Sequence, residues 1–121
     1  MTFLAAVPQF TVADLIGTTE YYRDVLGFNI EGYFADPPVF GIVSRDYVQV
    51  FFSRGAETMR TGRAKEAYDV YIRVTEIDAL AADLRGRGAD IVDGPADRVY
   101  GQRELVIRDC NGLILAFGQR T

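Results

Sequence analysis

Histidine is absent from the 121-residue sequence, and cysteine occurs once, as Cys110. Without histidine, neither a Ser–His nor a Cys–His catalytic pair can form. A single cysteine also excludes a disulfide within the chain and a metal site that needs several thiolates. We expect Cys110 to be a small turn residue rather than a reactive thiol.

Long apolar runs and an excess of basic residues are lacking as well. No run approaches the roughly 20 apolar residues that a membrane-spanning helix needs. The stretch 1–8 has no positive residue before its short apolar run, which favours a strand over a signal peptide. Acidic residues outnumber basic ones by 17 to 13, whereas nucleic acid demands a positive face. We therefore expect a cytoplasmic protein with neither membrane nor nucleic acid as a partner.

The sequence contains one unit twice. Val12-Ala13-Asp14-Leu15, followed by Leu26-Gly27, recurs as Val74-Thr75-Glu76-Ile77, followed by Arg87-Gly88, with offsets of 62 residues at the start and 61 at the end. Each half alone would be marginally stable because a short chain buries little of its surface. We expect a single domain made of two modules, about 1–54 and 67–121, joined by a loop, 55–66, that is either a linker or a flap over a binding site.

The hydrophobic pattern predicts the same order of elements in both halves. Asp14 before the first helix, and Thr75 with Asp78 before the second, are typical capping residues. Gly27 and Gly88 are typical helix ends. Each half is therefore β-α-β-β-β, an α+β fold with the helices on one face of the sheet. The predicted strands are 3–12, 28–34, 39–44, 47–53, 67–74, 90–92, 103–108 and 113–117.

Strand alternation separates the side chains under the helices from those on the opposite, free face. In the second half, Val70 and Ile72 are expected under the helix, which leaves Tyr71 on the free face. A face that combines aromatic rings with a few polar groups is typical of a ligand pocket, although a merely solvated sheet face is the alternative. The expected ligand-binding residues are Gln9, Tyr47, Gln49, Phe51, Asp69, Tyr71, Arg73, Tyr100 and Glu104.

Two sequence blocks resemble the vicinal oxygen chelate superfamily, which includes glyoxalase I, extradiol dioxygenases, fosfomycin-resistance enzymes and bleomycin-resistance proteins. The first block runs from Val12-Ala13-Asp14-Leu15 to Tyr21-Tyr22-Arg23-Asp24-Val25-Leu26-Gly27-Phe28. The second runs from Tyr100-Gly101-Gln102-Arg103-Glu104 to Arg108-Asp109-Cys110-Asn111-Gly112. The resemblance implies two βαβββ modules that form an incomplete barrel, commonly in a homodimer whose subunits jointly build the cavities.

The resemblance also implies where metal-using members carry their ligands, usually His and Glu. The corresponding positions in this chain are Val7, Gln49, Asp69 and Ala116. Val7 and Ala116 have no donor atom, Gln49 is a weak neutral ligand, and one carboxylate cannot hold a divalent ion against water. We therefore expect no metal and no cofactor, and catalysis is less expected than binding.

This departure makes the chain most similar to the bleomycin-resistance branch, whose members use the cavity for sequestration. The expected function is metal-free binding of an aromatic or cationic antibiotic-like ligand. Tyr47, Phe51, Tyr71 and Tyr100 would stack on it, Asp69 and Glu104 would attract its cationic parts, and Gln9, Gln49 and Arg73 would form hydrogen bonds. Two alternatives stay open: a lyase, isomerase or dioxygenase-like enzyme of the same superfamily, and a structural or regulatory dimer with a collapsed pocket.

Overall fold

A computed structural model describes residues 1–58 and 67–121. The chain divides into two compact units, unit 1 (Met1–Met59) and unit 2 (Arg60–Thr121). Most of the predicted loop 55–66 lies outside the described residues. In the part of the chain that is described, both helices have 10 residues, and neither is long or apolar enough to cross a bilayer.

Unit 1 has the predicted β-α-β-β-β order. Its four strands form one sheet in the order β1-β4-β3-β2, in which β1 and β4 are parallel and the other neighbours are antiparallel. The elements are β1 (Gln9–Val12), α1 (Leu15–Asp24), β2 (Asn29–Phe34), β3 (Phe40–Arg45) and β4 (Val48–Arg54).

The helix of unit 1 begins where the sequence predicts. The Asp14 carboxylate accepts a hydrogen bond from the Gly17 backbone N–H at 3.0 Å, which satisfies one of the amides that a helix leaves free at its start. The apolar face of α1 is anchored by Tyr22, which is fully buried. Its ring packs edge-on against Phe28 and Phe52, with centroids 5.5 and 4.9 Å away, so the helix is fixed to the sheet by aromatic contacts.

Unit 2 repeats this topology, which confirms the predicted duplication. Its sheet has the order β5-β8-β7-β6, with β5 and β8 parallel and the remaining pairs antiparallel. Leu84, Leu105, Ile107 and Leu115 form part of its core. The elements are β5 (Val70–Arg73), α2 (Ile77–Gly86), β6 (Asp90–Asp97), β7 (Gln102–Arg108) and β8 (Ile114–Arg120).

The predicted cap of α2 is wrong. The N-cap residue is Glu76, and no side chain of the predicted Thr75–Asp78 pair caps the helix. Instead the Ile77 N–H donates to Oε1 of Gln119 in β8 at 2.9 Å. The start of α2 is thus stabilised by a strand that is distant in sequence, whereas the start of α1 is stabilised locally.

The turn before the last strand matches the sequence expectation. The Asp109 carboxylate is buried, and its Oδ1 accepts hydrogen bonds from the N–H groups of Asn111 at 2.8 Å and Leu113 at 2.9 Å. These bonds close the β7–β8 hairpin, in which Arg108 pairs with Ile114. Cys110 is an exposed residue of this turn.

Four strands differ in length from the prediction by two residues or more: β5 is shorter than 67–74, β8 is longer than 113–117, and β1 and β6 differ most. The first strand is restricted to β1 because the chain has no regular structure before Gln9, where Pro8 lacks an N–H for pairing. In contrast, β6 continues well past Val92, through register shifts on both sides of Asp93. These irregularities interrupt the alternation of side chains, which is why the sequence pattern ends early.

Candidate functional site

A buried carboxylate organises the free face of unit 2. Glu104 lies in β7 and is 2% exposed. It accepts hydrogen bonds from the hydroxyls of Tyr71 at 2.7 Å and Tyr100 at 2.5 Å, and from Nε of Arg98 at 3.3 Å. Three donors from β5 and from the β6–β7 connection thus converge on one side chain, which fixes the position of both phenol rings.

The electrostatics of this cluster keep Glu104 charged. Burial alone would raise the pKa of Glu104, but the hydrogen bonds from Tyr100, Tyr71 and Arg98, together with the Arg98 charge, lower it below its ordinary value. Arg98 also bonds Asp93 at 2.6 Å, and this pairing raises the pKa of the guanidinium. The negative charge of the Glu104 carboxylate is therefore balanced by Arg98, and the carboxylate is bonded within the protein.

The two phenols keep their protons more firmly than free tyrosine does. Burial of the Tyr71 hydroxyl, followed by its hydrogen bond to Glu104, raises the pKa of Tyr71 to about 12. The hydrogen bond to Glu104 raises the pKa of Tyr100 as well. Both hydroxyls consequently act as donors to Glu104 at physiological pH.

Gly118 of β8 provides the space that the Tyr71 hydroxyl needs. Gly118 pairs with Glu104 on one side and with Arg73 on the other. A Cβ atom at position 118 would lie 2.8 Å from Cε1 of Tyr71 and would overlap its hydroxyl. The Tyr71 ring therefore lies over β8 at a glycine, the only residue type without a side chain to block it.

Three tyrosine rings are partly exposed around this carboxylate. Tyr68, Tyr71 and Tyr100 are 37%, 36% and 61% exposed, and the rings of Tyr68 and Tyr71 lie with centroids 6.2 Å apart. We call these three residues the tyrosine platform. Exposed aromatic surface that is held rigidly is well suited to stack on a planar ligand.

An open groove of about 350 Å³ adjoins the platform at Gly118. Arg73 at the end of β5 and Arg120 at the end of β8 both contribute to it, and both residues are exposed. We call it the arginine groove. Its lining residues are Arg73, Val74, Thr75, Gly118, Gln119 and Arg120.

Unit 2 contains five of the nine residues that the sequence nominates for ligand binding. Tyr71, Tyr100 and Glu104 are brought together in one cluster. The Asp69 carboxylate accepts a hydrogen bond from the Ile114 backbone N–H at 2.8 Å, so part of its capacity is used to hold β5 beside β8. Arg73 lies at the groove.

The other four nominated residues belong to unit 1. Nε2 of Gln9 lies 3.5 Å from the Ser53 hydroxyl, the Gln49 amide donates to Glu31 at 2.7 Å, and Phe51 packs edge-on against Phe40 with centroids 5.4 Å apart. Tyr47 lies in the turn between β3 and β4 and is fully exposed.

Tyr68, Arg98 and Gly118 belong to the cluster but were not predicted from the sequence. Tyr68 precedes the observed β5, and in the predicted strand 67–74 alternation puts it on the side of Val70 and Ile72 rather than on the free face. Arg98 lies between β6 and β7, outside the predicted strands 90–92 and 103–108. Of the three, Gly118 carries a readable signal, since a glycine inside a strand indicates close approach of another group.

The positions that the resemblance assigns to metal ligands do not fit a metal. Val7 and Ala116 offer no donor atom, while Gln49 and Asp69 are engaged with Glu31 and the Ile114 amide. Within residues 1–58 and 67–121, no group of three or more Asp, Glu or Cys side chains is placed to hold an ion. Metal-free binding stays a prediction.

Solved structures with the same fold come from several bacteria. A glyoxalase-related enzyme from Clostridium phytofermentans is 18% identical, with a TM-score of 0.76 over 100% of this chain and 98% of that chain. TnmS3, an antibiotic binding protein from Streptomyces sp. CB03234, is 18% identical, with a TM-score of 0.70 over 100% of both chains. The bleomycin-binding protein from Streptomyces verticillus, complexed with copper(II)-bleomycin, is 23% identical, with a TM-score of 0.71 over 100% of this chain and 99% of that chain.

At these identities the likeness shows a common fold. A search of curated proteins finds no match. The sequence profile of one family matches residues 5–117, which include all ten helices and strands except the last residues of β8. The chain therefore belongs to the Glyoxalase/Bleomycin resistance protein/Dioxygenase superfamily.

Proposed function

We propose that this chain is a metal-free binding protein that sequesters an aromatic, antibiotic-like small molecule on the tyrosine platform. The observation that carries the proposal is the pair of exposed rings, Tyr71 and Tyr100, both held by the buried Glu104 carboxylate. Rings that are already fixed lose little conformational entropy when a ligand stacks on them. Exposed aromatic surface that forms a contiguous patch is typical of a binding site.

Two of the structural neighbours support a binding role, since one is described as an antibiotic binding protein and the other as a bleomycin-binding protein. Of the two ligand properties expected from the sequence, the aromatic one has more support. Glu104 is bonded to three donors and Asp69 to the Ile114 amide, so we assign Glu104 to positioning the rings rather than to attracting a cation.

The test is calorimetric titration of the purified chain against bleomycin-type, anthracycline and mitomycin-type compounds. We expect a member of this panel to bind, and both Tyr68→Ala and Tyr100→Ala to weaken its binding about fivefold each, the loss expected for one aromatic contact. Tyr47→Ala is the matched comparison, because it removes a fully exposed tyrosine outside the platform. Silence across the panel, or a loss confined to Tyr47→Ala, contradicts the proposal.

An enzyme of the same superfamily is the second candidate, and the likeness to a glyoxalase-related enzyme favours it. Elemental analysis separates the two, because a tightly bound nickel, zinc, manganese or iron ion in each purified chain would indicate a metal-dependent enzyme. The cytoplasmic location, the homodimer and the joining of the two modules into a single domain stay predictions from the sequence. Sedimentation analysis tests the homodimer.

A further inference from the structure

We propose that the arginine groove is an oxyanion-binding site, which takes the carboxylate or phosphate of a ligand whose ring stacks on the tyrosine platform. This inference rests on the proposed function, which it extends from an aromatic ligand to an aromatic acid. It also reverses the ligand charge expected from the sequence, since Asp69 and Glu104 are bonded within the protein, while Arg73 and Arg120 form no ion pair within residues 1–58 and 67–121.

The register of unit 2 places both arginines on the same face of the sheet. Arg73 pairs with Gly118, and Arg120 follows Gly118 by two residues in β8, where it pairs with Gln102. Residues two apart in a strand point to the same side. Arg73 and Arg120 therefore lie on the same face as Gly118, where the Tyr71 hydroxyl occupies the space of the missing side chain. The groove volume, about 350 Å³, falls within the range of small-molecule sites.

The charges of these two arginines are not balanced within the described structure. Four other arginines of unit 2, namely Arg87, Arg98, Arg103 and Arg108, form ion pairs with carboxylates. Neither Arg73 nor Arg120 forms an ion pair with any residue in the ranges 1–58 and 67–121. Two guanidinium groups beside one groove supply the positive charge and the N–H donors that an oxyanion binds.

The groove and the platform meet at one residue. Gly118 lines the groove, and the Tyr71 hydroxyl packs against it. An acid group in the groove would thus be adjacent to the aromatic rings. The chain as a whole carries a net charge of −4, so anions are not drawn to its surface in general, and binding at this groove requires the local arginines.

The experiment compares four probes by calorimetry and by chemical-shift changes of the backbone amides: phenyl phosphate, benzoate, benzyl alcohol and inorganic phosphate. We expect phenyl phosphate and benzoate to bind more tightly than benzyl alcohol and to shift the amides of Arg73, Thr75 and Gly118. Arg73→Gln and Arg120→Gln should each weaken phenyl phosphate about fivefold, which corresponds to one charge-assisted contact. The Lys variants should retain most of the affinity, and added salt should reduce it.

A variant of Glu76 should change the affinity for phenyl phosphate in the opposite direction. This exposed carboxylate follows Thr75 and makes no side-chain capping bond to α2, so Glu76→Gln removes a nearby negative charge without uncapping the helix. We expect Glu76→Gln to strengthen phenyl phosphate about twofold, the size of a weak surface charge effect. We expect all variants to bind benzyl alcohol like the unmodified chain, which would show that they are folded.

The outcomes separate this inference from the proposed function. Equal binding of phenyl phosphate and benzyl alcohol, or no effect of the arginine variants, overturns the oxyanion site, even if the antibiotic panel binds to the platform. If inorganic phosphate binds more tightly than benzyl alcohol, both arginine variants weaken it and no antibiotic of the panel binds, the oxyanion site is supported and the proposed function fails. Phosphate esters and carboxylates are distinguished by the ratio of the phenyl phosphate and benzoate affinities.

Discussion

Replacement of Gly118 by alanine tests whether the platform depends on space over β8. Gly118 lies in a strand without a positive φ, so its backbone tolerates alanine. The new Cβ would approach within 2.8 Å of Tyr71 Cε1 and overlap the hydroxyl. Because Gly118 is buried, the new Cβ has no other space to occupy and the Tyr71 ring must move. Its hydrogen bond to Glu104 must then lengthen or break.

The expected cost follows from that bond. A hydrogen bond to a charged group contributes about 1.5–3 kcal/mol, less when one partner is partly exposed as Tyr71 is. Alanine regains about 0.5–1 kcal/mol of the backbone entropy that glycine loses in a strand. We therefore expect Gly118→Ala to lower the free energy of unfolding by about 1–2 kcal/mol.

Urea denaturation followed by far-ultraviolet circular dichroism measures this change, because the midpoint shifts while the slope stays constant. The control is a double-mutant cycle with Tyr71→Ala, which removes the ring that the new Cβ of Gly118→Ala would meet. In that background Gly118→Ala should be neutral or stabilising. An equal loss in both backgrounds would refute the reasoning, since the cost would then arise from the strand itself.

Two further predictions concern the same unit. The pKa of Tyr71 is raised to about 12. The contribution of Tyr71 to stability is therefore complete below pH 10, the ordinary pKa of tyrosine, and is lost as the pH rises toward 12. Spectroscopic titration should show a late phenolate transition that disappears in Tyr71→Phe, and an unchanged curve in that variant would contradict the assignment. Gln119→Ala should destabilise the chain by about 1 kcal/mol, as the loss of a helix cap does, and should lower amide protection at Ile77 while leaving α1 unaffected. Asp14→Ala should instead lower amide protection at the start of α1 and leave Ile77 unaffected.

The overall fold could be predicted because its signals are local or repeated. The Asp14 cap, the Asp109-to-Gly112 turn and the alternation of Val70, Tyr71 and Ile72 each depend on residues close in sequence. The repeat then supports the same order of elements in both halves. Alternation also placed Tyr71 and Glu104 on one face, which is why both appear among the predicted site residues.

The remaining features depend on contacts that a pattern does not encode. The bond between Tyr71 and Glu104 joins residues separated by 33 positions, and strand alternation does not report that Glu104 accepts hydrogen bonds from two phenols. Tyr47 is an example of an error in a strand boundary. The predicted strands 39–44 and 47–53 leave Arg45-Asp46 as the turn, whereas Asp46 has a positive φ of 50° and the observed turn includes Tyr47. Strand periodicity does not report such a shift.

The different origins of the two helix caps affect the order in which the units mature during translation. The Gly17 amide at the start of α1 finds its acceptor three residues away, so this cap can form as soon as Asp14 and Gly17 have left the ribosome. The amide of Ile77 finds its acceptor 42 residues later, and α2 therefore stays frayed until β8 has been synthesised and has joined the sheet.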